Sequence, residues 1–199
     1  MTKRYDQAYF DRWYRDPHHR VATSAGVRRK VRLALGIAEA LLERPVRHVL
    51  DVGCGEAPWR SHILDERPNA EYVGIDSSEY VVRRFGRTRG IRLGTFGTLG
   101  QLGLTDRFDL IVCCDVLQYV PTDELGPGLR AVESLLGGVA YVEAFTDVDE
   151  LEGDKRHWHH RTPQWYRHAF RDARLTAVGM HCYVGEQLRG GTLALERAE

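Results

Sequence analysis

The chain has no excess charge of either sign. Its 28 Lys and Arg are matched by 28 Asp and Glu, for a formal net charge of zero. That balance argues against capture of nucleic acid by a broad basic surface. Arg28, Arg29, Lys30 and Arg32 form a local basic run, but at helical spacing they spread around a turn and read as a solvated face. Cysteine is sparse, and Cys54, Cys113, Cys114 and Cys182 form no C-x-x-C pair. This excludes a disulfide scaffold and the common zinc modules. Cys113 and Cys114 sit side by side in an apolar run, pointing to opposite faces of a strand, as small fillers in a reducing compartment. No apolar run approaches the length of a membrane span, and the polar start from Met1 to Asp6 lacks the apolar core of a secretory signal. The expectation is a cytoplasmic protein that does not engage a membrane. Its 199 residues suit a single domain with a sizeable core. Repeats and low-complexity tracts are absent.

What is present begins at residue 49. Val49, Leu50 and Val52 suit a strand covered on both faces. Gly53 and Gly55 permit a sharp turn and a close approach of backbone N–H groups to a ligand. Pro58 is preset for the first turn of a helix. A second apolar strand follows and ends in Asp76. A dinucleotide site would want a third glycine where Pro58 stands, and Asp51, just ahead of the turn, would repel a pyrophosphate while attracting an ammonium group.

Beyond the turn, the pattern predicts helices over 5–15, 21–43, 58–67, 77–85, 123–136 and 163–172, the fifth interrupted at Gly126, Pro127 and Gly128. Strands are predicted over 46–52, 70–75, 91–95, 108–114, 139–145, 174–184 and 191–197. Alternating strands and helices imply a doubly wound, mostly parallel α/β sheet with helices on both faces. The last two strands are close enough to pair as an antiparallel hairpin.

The run Asp51-x-Gly53-x-Gly55-x-Ala57 resembles the first motif of the class I S-adenosylmethionine-dependent methyltransferases, with Ala57 where that family usually has a third glycine. The segment from Phe108 to Val120 is similar to the family's fourth strand and following loop. An antiparallel C-terminal strand completes the likeness. The resemblance covers roughly residues 46–145. It implies the seven-stranded Rossmann-like methyltransferase fold, S-adenosyl-L-methionine as cofactor, and methyl transfer to an oxygen or nitrogen of a small molecule. An RNA- or protein-modifying methyltransferase, or a non-catalytic cofactor-binding partner subunit, are the alternatives. Within one domain, 1–44 is expected as an N-terminal helical lid and 146–172 as an acceptor-side insertion.

The resemblance also implies roles. Asp51 takes the methionine ammonium, while Gly53, Cys54 and Gly55 form the turn beneath it. Asp76 takes the ribose hydroxyls, and Ser77 sits beside the adenine. Thr95 and Phe96 occupy the adenine end, and Asp115 the methionine end. Asp109, at the wrong end of its strand, is structural. Methyl transfer from a sulfonium needs mainly in-line positioning of the acceptor, but a hydroxyl acceptor gains from a base. His157, His159 and His160 are the candidate bases, with Glu143 and Tyr141 behind them. Tyr5, Tyr9 and Trp13 form an aromatic stripe suited to packing or to a lid. The acidic and histidine-rich residues of 147–160 match no specific metal spacing.

Overall fold

The computed structural model describes residues 5–20, 22–150 and 153–197. Val21, expected to open the second helix, lies outside them, as do residues 1–4 of the expected lid and 151–152 of the expected insertion.

An aromatic helix α1 (Gln7–Phe10) runs on as one π-helical turn, Asp11–Arg15. Helix α2 (Ser24–Leu42) is capped by Thr23, whose Oγ accepts from Gly26 N–H at 3.1 Å. Then come β1 (His48–Val52), α3 (Pro58–Glu66), β2 (Glu71–Asp76), α4 (Glu79–Arg89), β3 (Ile91–Leu93), β4 (Phe108–Cys114), α5 (Thr122–Leu135), β5 (Leu136–Glu143), α6 (Pro163–Asp172), β6 (Thr176–Gly179), β7 (Cys182–Val184) and α7 (Glu186–Arg189).

The seven strands lie in the order β3-β2-β1-β4-β5-β7-β6. All neighbours pair in parallel except β7, which runs antiparallel to both β5 and β6. Alternate residues of the central strands face opposite layers. Val49, Leu110, Val112 and Val139 pack against α2 and α3, and Leu50, Ile111, Ala140 and Val142 pack against α5 and α6. Each such fully buried aliphatic side chain contributes about 1.5–3 kcal/mol. Cys113 and Cys114 divide between the two layers in the same way.

Four expectations are corrected. Helix α5 is continuous through Pro127. Gly128 is needed there for packing, because a Cβ would stand 2.2 Å from Phe96 Cδ1. Strand β5 starts at Leu136, so Gly137 and Gly138 lie inside it. A Cβ on Gly138 would meet Asp109 O at 2.1 Å, where the β4–β5 register shifts. Finally, 174–184 is a hairpin of two short strands, turning at Gly179, Met180 and His181, all at positive φ. Residues 191–197 contain a 3₁₀ turn (Ala194–Glu196) and no strand.

Asp109 is structural, as expected. Arg44 forks onto both its oxygens at 2.6 and 3.0 Å, and Arg47 and His48 N–H groups add to it. Burial pushes the carboxyl up, but these donors outweigh it and hold it below the usual range.

Candidate functional site

The strand order reverses between β1 and β4, which opens a crevice beyond their carboxyl ends. A cavity of about 1400 Å³ lies there. Asp51 enters it from the end of β1 and Asp76 from the end of β2. Gly53 and Gly55 follow at φ +72° and +54°. Both are packed against neighbours: a Cβ would stand 2.4 Å from Val116 Cγ2 on Gly53 and 2.3 Å from Tyr14 Oη on Gly55. Ala57 is also left-handed, at φ +56°, so the third motif position demands glycine-like geometry although it carries a methyl.

Asp51 is 2% exposed. The Tyr72 hydroxyl donates to its Oδ2 at 2.7 Å. Burial pushes the Asp51 carboxyl up to about 7, against that hydrogen bond and with a smaller rise from Asp76. Asp76 accepts Gly55 N–H on one oxygen at 2.7 Å and Ser78 N–H on the other at 2.8 Å. Burial raises its pKa, and the two N–H groups oppose the rise. Each oxygen keeps a lone pair for another donor. Cys54 turns its thiol toward Gly74, where a Cβ would stand 2.8 Å from Sγ. Ser77 lines the cavity, and Ser78 caps α4 by accepting Val81 N–H.

At the far end, Thr95 closes a turn with Thr98, its N–H donating to Thr98 Oγ1 at 3.0 Å. Phe96 borders the cavity but is buried, with its ring against Gly128 of α5. Asp115 follows β4 at φ +62°. Its N–H donates to Glu143 O at 3.1 Å, and its carboxylate accepts from Gln118 Nε2.

Tyr5, Tyr9, Phe10 and Tyr14 also border this cavity. The Tyr5 and Tyr9 rings meet edge-on at 5.0 Å, and the Phe10 ring packs on Tyr14 at 5.0 Å and on Tyr80 at 5.8 Å. Trp13 borders the cavity and meets His19 edge-on at 6.0 Å.

The three histidines separate. His157 and His159 border the cavity and His160 does not; its ring lies 4.4 Å from Trp158. Burial first, then the Arg161 charge, lowers the His159 pKa. Glu143 and Tyr141, the next candidate bases, do not border this cavity. Lys30 of α2 donates to Glu143 Oε1 at 2.7 Å and the Tyr141 hydroxyl to Oε2 at 2.8 Å. Lys30 therefore leaves the solvated face expected for the basic run. Burial raises the Glu143 pKa, but these donors outweigh it and keep the carboxylate low.

Arg161 gave no signal in the sequence. It is buried, donating to Leu117 O at 3.0 Å, Val120 O at 2.6 Å and Thr122 Oγ1 at 3.0 Å. Its guanidinium also lies 4.8 Å from the Trp165 ring centre. It bolts the segment after β5 to the start of α5. Tyr72 was legible in principle, because strand alternation puts it on the face of Asp51.

Residues 50–138 match a family described as a methyltransferase domain. No curated protein matches the chain in sequence at a significant level. Its fold is shared with DesVI of Streptomyces venezuelae (TM-score 0.62, 16% identity, 81% of this chain and 91% of that one). It also resembles the plantazolicin methyltransferase BamL, solved with a triazolic desmethylPZN analog and SAH (TM-score 0.61, 13% identity, 86% of this chain and 71% of that one). A third likeness is to the Burkholderia thailandensis 1,6-didemethyltoxoflavin-N1-methyltransferase, solved with its substrate and S-adenosylhomocysteine (TM-score 0.52, 20% identity, 75% of this chain and 68% of that one). Among the described residues, no helix is long and apolar enough to cross a membrane.

Proposed function

We propose that this chain, which matches a methyltransferase domain over residues 50–138 and shares the fold of solved methyltransferases, is a class I S-adenosylmethionine-dependent methyltransferase that transfers the cofactor's methyl group to an oxygen or nitrogen of a small molecule. The observation that carries this is a single cavity of about 1400 Å³. It holds Asp51, Asp76 and the glycine turn at one end and continues under an aromatic roof to His157 and His159. A roofed volume of that size suits a cofactor beside a compact acceptor better than a polymer lying across a surface. BamL, solved with a triazolic desmethylPZN analog, and the N1-methyltransferase solved with 1,6-didemethyltoxoflavin support the same reading.

The donor set fits the cofactor. Asp51 is an acceptor for an ammonium group, held in orientation by the Tyr72 hydroxyl. Asp76, steadied by two backbone N–H groups, has lone pairs left for a pair of ribose hydroxyls. Ser77 and Thr95 border the adenine end, and Gly53, Cys54 and Gly55 keep the backbone low beneath the ligand. The bound cofactor supplies an activated methyl group on a sulfonium. The protein's task is then to align an acceptor and exclude water. Residues 5–15 act as the lid, and 146–172 form the acceptor side with Asp115. His159, kept neutral by burial and by Arg161, is the better placed base, because a neutral imidazole can accept the acceptor's proton. The four cysteines are free thiols, which supports a reducing, cytoplasmic setting.

A transfer screen with methyl-labelled cofactor against separated small-molecule, RNA and protein fractions tests the proposal. Label should enter the small-molecule fraction, and label confined to RNA or protein would refute it. With the acceptor identified, His159→Ala should lower turnover by roughly a hundredfold or more while cofactor affinity holds.

A further inference from the structure

A second cavity, of about 410 Å³, opens between α2, the end of β5 and the turn of the β6–β7 hairpin. Arg29 and Lys30 border both this cavity and the larger one. The two are therefore neighbours, divided by side chains of α2. Lys30 stands at the junction. Its Nζ lies 2.7 Å from Glu143 Oε1, which borders the smaller cavity, and 3.7 Å from Cys114 Sγ, which borders the larger.

The charged and titratable groups around the smaller cavity are Arg29, Lys30, Tyr141, Glu143, Asp149 and His181. Most are matched within the protein. Glu143 accepts from Lys30 and from the Tyr141 hydroxyl. Asp149 accepts from the Thr146 N–H at 2.8 Å and from its hydroxyl at 2.7 Å. The His181 ring meets Tyr141 edge-on at 5.7 Å. Arg29 is exposed, on the divide between the cavities. What remains for a ligand to touch is mainly carbon and sulfur. Leu33, Ala144 and Phe145 are half-buried, and Met180 is 66% exposed.

Met180 is out of place as a turn residue. The hairpin turns on Met180 and His181, at φ +48° and +65°. Two-residue hairpin turns with both φ positive favour asparagine and glycine, and a left-handed backbone disfavours a long side chain. The turn nevertheless sets an exposed thioether at the edge of an apolar hollow, where a ring could meet the sulfur. Ten residues line the hollow, too few for a stable protein interface, which uses about 20–30 a side. Its volume falls within the roughly 300–1,000 Å³ of small-molecule sites.

We propose that the smaller cavity holds an uncharged aromatic ring of the methyl acceptor, packed against Phe145, Leu33 and Met180, while the acceptor's nucleophilic end reaches past Lys30 into the larger cavity. The inference rests on the methyl-transfer reading and adds the acceptor's ring and the side from which it enters. The ring is uncharged because the carboxylates here are already matched, and a further charge laid on carbon would lose its hydration without a partner.

The test uses the full chain labelled with 13C-methyl methionine and saturated with S-adenosylhomocysteine, with saturation first verified by calorimetry. The chain has two methionines, Met1 and Met180, and the resonance missing from Met180→Asn assigns the second. At pH 7, 2-naphthol should shift the Met180 methyl saturably. Decahydro-2-naphthol, of the same skeleton without aromaticity, and naphthalene-2-sulfonate, its anionic counterpart, should each bind severalfold more weakly. Phe145→Ala should weaken 2-naphthol by about tenfold. Met180→Asn should weaken it severalfold without lowering Tm, because asparagine suits the left-handed turn, and a purely structural Met180 would give the opposite pattern. Neither variant should change S-adenosylhomocysteine affinity. The proposal is overturned by a Met180 methyl that does not respond to 2-naphthol, by either control binding as tightly, or by normal 2-naphthol affinity in both variants. Displacement of S-adenosylhomocysteine by 2-naphthol overturns it too, since the ring would then lie in the cofactor's place. Failure of S-adenosylhomocysteine to bind would appear in the first titration and remove the methyl-transfer reading, while the Met180 shift in unloaded protein would still decide whether the cavity takes a ring.

Discussion

Acidification is the sharpest probe of the proposed ammonium site. Burial places the Asp51 carboxyl at about 7. The cofactor's ammonium remains charged around neutrality, so it competes with a proton for that carboxylate. Moving from about pH 8 to about pH 6 lowers the ionised fraction from roughly nine-tenths to roughly one-tenth. The dissociation constant for S-adenosylhomocysteine should then rise about tenfold, or ~1.4 kcal/mol. The sign also runs through stability. The folded value lies above the ordinary 3.8, so the protonated carboxyl favours the folded state. Free protein should lose stability as pH rises from about 4 to about 7, by on the order of 4 kcal/mol at most. An ammonium beside Asp51 offsets that loss, so the gain in Tm from saturating ligand should grow from the acid to the alkaline side. Calorimetry in two buffers of different ionisation enthalpy measures both the affinity and the protons released. Equal affinity at both ends of the range, or a slope that persists in Asp51→Asn, would refute the assignment.

Asp76→Ala should weaken S-adenosylhomocysteine by tenfold or more in a folded protein, since each hydrogen bond to a charged acceptor contributes about 1.5–3 kcal/mol; calorimetry on the variant decides. Gly55→Val should do worse, because a left-handed non-glycine residue costs about 1–2 kcal/mol and its Cβ would overlap Tyr14. A folded Gly55→Val protein with normal ligand affinity would contradict the placement of the turn. Arg161→Met should lower stability by about 3 kcal/mol or more through the loss of its charged donors to Leu117, Val120 and Thr122. An unchanged denaturant midpoint would show that this bolt carries no energy.

The geometry of the proposed cofactor end was legible because each residue type there answers a local demand. Gly53 and Gly55 take positive φ, Pro58 opens a helix, and Asp51 and Asp76 stand near strand ends at the rim of the cavity. The contacts around the proposed acceptor end were not. Lys30 finds Glu143 across the fold, and Arg161 finds the carbonyls of Leu117 and Val120, pairings that no periodicity encodes. Two misreadings of the fold have a shared cause. Gly128 and Gly138 look like helix and strand breakers, but each clears space for a neighbour, the Phe96 ring in one case and the β4 backbone in the other. A third arose because the hairpin turn is made by Met180 and His181 at positive φ, residue types that carry little turn signal.

The Tyr14 hydroxyl occupies the space that a side chain on Gly55 would fill. The segment bearing it is pinned at both ends, by Ser78 Oγ donating to Tyr5 O at 2.5 Å and by the Arg15–Glu56 ion pair. In the proposed binding mode, spent cofactor leaves only when this segment lifts. Each catalytic cycle then contains an opening and a closing event whose speed is set by ring contacts and one ion pair, independent of how readily the acceptor reacts. Retention and release become opposing demands on the same few aromatics. A substitution that loosens Phe10 would shorten the residence time of the product and raise turnover where release is slowest, at the expense of holding the fresh cofactor. Trp13, on the moving segment, would report each opening as a change in fluorescence.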